Sequence, residues 1–211
     1  MLWVDVHDTY LSAVEALPDL TDQIEDFSIP ALGSWDARAL TGHTLRAVTA
    51  PVRCLADPEP ETGPVPSAAS YFVAYLEWRD ANPAKADAEV AARGEHELDG
   101  IEPNRFSSLF RSSAASARAA LQGITGDRKV GTRHGTMRIQ DYLRTRTLEI
   151  AVHSLDLARA TKVDWRPPET ATEDALLLLT EISLQRGHGD ELLLALTGRN
   201  GTVNEALPVL R

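Results

Sequence analysis

"RTRTLEIAVHSLDLARA", residues 144–160, has no proline or glycine and is rich in Leu, Ala, Arg and Glu, so it reads as helix. Within it Glu149, His153 and Asp156 are spaced by four and by three, which places them on one face. On a wheel of about 100° per residue, with Glu149 at the origin, His153 lies about 40° to one side and Asp156 about 20° to the other. Tyr142 and Arg146 share that sector. Leu148 and Val152 flank it on one side, Ile150 and Leu157 on the other. The opposite face holds Arg144, Thr147, Ala151, Ser154, Ala158 and Lys162. It is small and polar, so it is the expected solvent face. The Glu–His–Asp stripe is then expected to point inward. An ionised carboxylate buried without a partner costs several kcal/mol. A salt bridge, a hydrogen-bond network or a metal ion could offset that cost.

The metal reading rests on spacing. Residues i and i+4 of a helix bring two side chains within reach of one ion. Imidazole nitrogen and carboxylate oxygen suit zinc or a similar divalent metal. A catalytic site commonly takes three protein ligands and leaves one position open, so a third ligand is wanted from another helix. His43, in "LTGHTLRAV" (40–48), is the best candidate. Gly42 beside it and Ala47 on its own side leave room for an inserted group. His7 is weaker, near the start of the first helix. His96 and His188 lie in polar, glycine-flanked surroundings and read as solvated. His134 sits in a loop leading into the stripe helix, where it would line the site. Asp156 fits an orienting role behind the histidine better than a fourth ligand. Cys54 lies 11 residues from His43, about 16 Å along a helix. It cannot share the metal and reads as a small core filler.

The rest of the chain is helical in pattern. One helix covers about 5–17, followed by a looser segment with Pro18, Pro30 and Gly33. A second begins after Ser34 as N-cap and carries Pro51, which should bend it. "DPEPETGPVP" (57–66) is a loop, and "SYFVAYLEW" belongs to a helix ending near Asn82-Pro83. "AKADAEVAARGEHELDG" (84–100) has few large apolar residues and reads as a surface helix. Further helices are expected over about 104–122, 140–161, 170–186 and 189–197. "GDRKVGTRHGTMRI" (126–139) suggests a loop or short hairpin, and the tail after 198 has room for one short strand. The class is all-α: a four-helix bundle with extra C-terminal helices and a short irregular or hairpin segment. Residues 1–165 are expected to form the bundle, and 166–211 a short helical extension packed on it.

Length, charge and cysteine content narrow the function. A chain of 211 residues can build one good core. Its net charge of −10 argues against nucleic acid and against anionic membranes. The N-terminus lacks a basic start followed by an apolar run, so no signal peptide is expected, and the expected location is cytoplasmic. The single cysteine allows no internal disulfide. A bundle of this size is expected as a monomer or homodimer.

Three segments together, "SWDARALTGHTLRAV" (34–48), "HGTMRIQDYLRTRTLEIAVHSLDLARA" (134–160) and "ELLLALTGR" (191–199), resemble the mycothiol-dependent maleylpyruvate isomerase family. That family is related to the DinB-like metal-binding four-helix bundles. The resemblance is carried by Trp35, Leu40 and His43, then by Glu149, His153 and Asp156, in this order. It implies one divalent metal, typically zinc, on His43, Glu149 and His153, and mycothiol as thiol cosubstrate. It also implies that Arg199, in the "LTGR" segment, helps bind an anionic thiol or substrate. His134 and Arg146 are placed near the site by their positions in the sequence, so the expected cofactor contacts are Arg199, His134 and Arg146, and the expected catalytic pair is Asp156 with Arg199. The full isomerases carry a distinct α/β domain after the bundle, whereas here two helices and a short tail follow Trp165.

The leading functional reading is an isomerase or S-transferase acting on a small electrophile with help from an external thiol. Two rivals stand beside it. A metal-dependent hydrolase would activate water at the same open position, with Asp156 as relay. A non-catalytic bundle, a binding or stress-response module, would hold a structural metal or none.

Overall fold

The computed structural model describes residues 2–61, 63, 66–132, 135–199 and 209. Its first helix, α1, spans Trp3–Thr21. It runs one turn beyond the expected end, because Pro18 is accommodated inside it and Thr21 caps the last turn by donating to the carbonyls of Leu17 and Pro18. A small antiparallel ladder follows, β1 (Pro30–Leu32) with β2 (Trp35–Asp36). Helix α2 spans Ala37–Ala56. Its N-cap is Asp36, not Ser34: the Asp36 carboxylate accepts from the Ala39 N–H at 2.7 Å. Ser34 lies in the turn of the β1–β2 hairpin, two residues too early.

Helices α3 (Ala68–Ala81), α4 (Pro83–Glu97) and α5 (Phe106–Leu121) come next. The 126–139 segment forms the second antiparallel pair, β3 (Lys129–Thr132) and β4 (Gly135–Arg138), in register from Lys129–Arg138 to Thr132–Gly135. It feeds directly into the long helix α6 (Ile139–Thr161). Helices α7 (Glu169–Gln185) and α8 (Gly189–Leu196) follow. The strand expected in the tail falls on 200–208, outside the described residues apart from Val209.

Helices α1, α2, α5 and α6 form a four-helix bundle around one core. Large side chains fill it: Tyr10, Leu17, Leu40, Phe106, Phe110 and Leu143 are each 2% exposed or less. The Tyr10 hydroxyl, fully buried, donates to the α2 carbonyls of Ala47 and Val48 at 3.3 and 3.2 Å. It thereby satisfies its one polar atom.

One expectation about an exposed face is corrected, and a second is sharpened. The face of α6 opposite the stripe does not meet solvent: Thr147 and Ser154 are fully buried, and Ala151 and Ala158 are 3% and 4% exposed. Ala151 belongs to a second apolar cluster with Leu178 and Ile182 of α7 and Phe72 and Leu76 of α3. Small side chains there let α7 pack closely instead of marking a wet surface. Arg144 on the same side pairs with Asp174, 1% exposed, at 2.8 Å and with Glu181 at 3.0 Å, both on α7. The expected surface helix α4 does expose Ala84, Lys85, Ala92 and His96, yet one side of it lies tightly on α2. A Cβ built on Gly42 would sit 2.2 Å from the Gly94 carbonyl oxygen, so two glycines permit backbone-to-backbone approach. The space beside Gly42 is taken by α4, not by a ligand. Glu97 then ties the two helices together by accepting from Arg53 at 2.6 Å, Arg46 at 3.3 Å and Thr49 at 3.0 Å.

Candidate metal centre

The stripe on α6 faces a cavity of about 430 Å³. The cavity is bounded by α2, α3, α6 and the β1–β2 hairpin. His43 from α2 meets Glu149 and His153 from α6 at one place in its wall. The Nε2 atoms of both histidines lie 3.2 Å from the same Glu149 oxygen, Oε2. The three ligand atoms are all within 4.8 Å of one another, and the two imidazole rings cross edge to face with centroids 4.8 Å apart. A tetrahedral ion with bonds of about 2.0–2.2 Å spaces its donors about 3.3–3.6 Å apart. The triad therefore needs little movement to close on an ion. Two nitrogens and one oxygen from two helices, opening onto a cavity, are a donor set that zinc or a similar divalent metal accepts. Among the described residues this is the cluster of His, Cys, Asp and Glu that could hold a metal.

The side chains are neither sealed nor wet. His43, Glu149 and His153 keep 17%, 21% and 16% of their side-chain surface through the cavity. Asp156 stands behind His153, with Oδ2 3.3 Å from its Nδ1. That contact turns the His153 Nε2 toward Glu149, as carboxylates behind metal-binding histidines do. Among the described residues His43 has no such orienter: its Nδ1 is buried without a partner, and its ring is held by packing, 5.1 Å from the Trp35 ring.

The electrostatics follow from this layout. Burial pulls the His153 pKa down, but Asp156 and Glu149 outweigh it and lift the group to about 9. Burial raises the Glu149 carboxyl, yet the two histidines and Arg146 hold it well below its usual value. His43 is pulled down by burial, with Glu149 only partly opposing. The metal-free cluster thus carries its proton on His153 and its negative charge on Glu149.

The other expected site residues divide. Arg146 lines the same cavity on α6. Arg199 is exposed just past α8 and is not among the cavity-lining residues. His134 lies outside the described residues. His7 contacts Asp8 and Trp3 on α1, and His96 is an exposed partner of Asp99. Cys54 packs against the main core, as expected of a small filler, and it also lines the cavity, farther along α2 from His43. Burial pushes its thiol up, with a hydrogen bond to Tyr142 opposing. It remains outside the metal-binding cluster.

Sequence reading missed most of the cavity wall. Tyr71, Phe72, Tyr75 and Arg79 come from α3, and Arg46 and Arg53 from α2. A helical wheel drawn for α6 alone holds no information about them. The usable signal was the row His43, Arg46, Ala47, Ala50, Arg53 and Cys54 at spacings of three, four and seven on α2, one stripe that reads as a second wall.

No curated protein and no solved structure matches the chain. The family model described as the mycothiol maleylpyruvate isomerase N-terminal domain matches residues 11–158, the stretch that carries the bundle, both walls of the cavity and all three candidate ligands. With its all-α, DinB-like bundle, this chain belongs to that family.

Proposed function

We propose that the chain is an enzyme that uses a divalent metal of the zinc type and a low-molecular-weight thiol, mycothiol, to isomerise or conjugate a small electrophile. The observation that carries this reading is the convergence of His43 and His153 on one oxygen of Glu149, at 3.2 Å each, in the wall of an open cavity. A divalent ion bound there would lower the pKa of an incoming thiol and so supply thiolate at neutral pH.

The chain's own residues do the rest. Asp156 keeps the His153 Nε2 turned to the centre, and Glu149 lends the negative charge. Leu148, Val152, Phe72 and Leu76 give the cavity an apolar wall that limits water and strengthens every charge interaction inside. Cys54 is kept protonated by burial, which favours a thiol brought from outside over the protein's own. Thiolate adding to one carbon of a cis alkene pushes the π pair onto an adjacent electron-withdrawing group. The remaining C–C single bond can then rotate, and return of that pair expels the thiolate and leaves the trans alkene. Protonation of the other carbon by water instead leaves the conjugate.

Metal analysis of the purified protein, with calorimetric titration of mycothiol and of a control thiol, tests the reading. One equivalent of metal is expected, lost in His43→Ala and in His153→Ala, with mycothiol binding only the metal-loaded form. Stoichiometric metal that survives both substitutions would sink the site. Turnover of esters or amides without thiol would replace this reading with hydrolysis.

A further inference from the structure

Of the four arginines that line the cavity, Arg46 and Arg53 share a single carboxylate, Glu97, and Arg79 has Asp80 at 3.3 Å. Arg146 has no carboxylate within ion-pair distance among the described residues. Its Nε donates to the Thr145 hydroxyl at 3.1 Å, and its guanidinium carbon stacks 5.0 Å from the centre of the Tyr142 ring. One edge and one face of the guanidinium are thus occupied. Its two terminal Nη groups make no hydrogen bond to the described residues. Glu149, three residues along α6, is engaged by both histidines. The cavity therefore carries excess positive charge in a chain whose net charge is −10.

A half-buried, unpaired guanidinium beside aromatic walls is costly unless something completes it. Stacking fixes its plane, so little freedom is lost when a planar anion docks on the free fork. A neutral ligand would leave that fork unpaired. Arg146 also lies on the stripe that carries two of the candidate ligands, about one helical turn, ~5 Å, before Glu149 and about two turns before His153.

We propose that Arg146 is the anion anchor of the cavity, and that the electrophile it accepts carries a carboxylate bound end-on to the two Nη groups, about one helical turn from the His43–Glu149–His153 cluster. Only the part played by that cluster rests on the thiol-dependent reading. The anchor requires no metal.

The first test uses the full chain stripped of metal, titrated with succinate by calorimetry. Wild type is expected to bind, Arg146→Met to bind at least tenfold more weakly, and Arg146→Lys, which keeps the charge but loses the fork, to fall between them. Melting curves confirm that each variant is folded, and Arg146→Gln stands in if Arg146→Met is not. Equal binding by wild type and Arg146→Met, or none by wild type, overturns the anchor.

The second test uses metal-loaded protein and locates the carboxylate. Acrylate is compared with acrylamide, and 3-mercaptopropionate with 2-mercaptoethanol. Arg146→Met is expected to abolish the preference for acrylate over acrylamide and to leave the ratio between the two thiols unchanged. A change confined to the thiol pair would overturn the assignment to the electrophile. Succinate binding in a protein that takes up no metal would refute the thiol-dependent reading and leave the anchor standing.

Discussion

Asp156 acts on the candidate centre through His153, and the consequence can be measured. Its Oδ2 sits 3.3 Å from the ring nitrogen that faces away from Glu149. Removing such a support typically costs 10–100-fold in metal affinity. Asp156→Asn should therefore retain one metal per chain and weaken it by about that factor in competition with a chromophoric chelator. Undiminished affinity would mean that helix packing alone orients His153. At this scale much was readable in advance. Glu149 and His153 announce a shared face by their spacing of four, and His43 is the histidine best placed on another helix. Cys54 was readable only in part: its packing against the core was, its place in the cavity wall was not. Its distance from His43 along α2 is correctly large, but the cavity is long enough to include both residues.

Among the elements, the α2–α4 pair makes the strongest claims. Gly42→Ala places a methyl group against the backbone of Gly94, with the nearest oxygen at 2.2 Å. Backbone cannot rotate away as a side-chain tip can, so the helices must separate. Overpacking of this kind costs about 1–3 kcal/mol, to be read as a lowered midpoint in urea. The Glu97 brace adds a pH dependence. Burial pushes the carboxyl up, but Arg53, Thr49 and Arg46 outweigh it and hold its pKa below the ordinary value. A depressed carboxylate stabilises the fold above its unfolded pKa of about 4.3 and ceases to do so as pH falls through the folded value. Glu97→Gln should thus be less stable than wild type by about 1.5–3 kcal/mol at pH 7. That gap should close in melts taken progressively below pH 4.3; a constant gap down to pH 3 would refute the brace. Both predictions concern a helix that its sequence presents as surface, since it has few large apolar residues. Small residues serve a wet face and a close helix contact equally well. The same ambiguity hid the contact between α6 and α7.

For the whole molecule, the candidate ligands join α2 to α6, two helices of the same bundle. Any ion that binds only the folded arrangement shifts unfolding by mass action. At a free metal concentration 100 times Kd this amounts to about 2.7 kcal/mol, which for a chain of this size raises Tm by about 5–10 °C. Differential scanning calorimetry with zinc and with a chelator should show that rise in wild type and not in Glu149→Gln. An equal rise in both would place the metal elsewhere.

The helical class, the order of the principal helices and the polar stripe on α6 were legible in the chain's local pattern, because they depend on periodicity, proline and glycine placement and spacings of three and four within one segment. That pattern also pointed to His43, since a two-ligand stripe demands a third donor and few histidines are available. Chain-wide packing settled which small faces are buried, that α4 lies on α2, that α3 walls the cavity, and that Arg146 has no carboxylate partner among the described residues. Each of these depends on which surfaces meet across long stretches of chain, and a residue's own neighbours in sequence do not specify that.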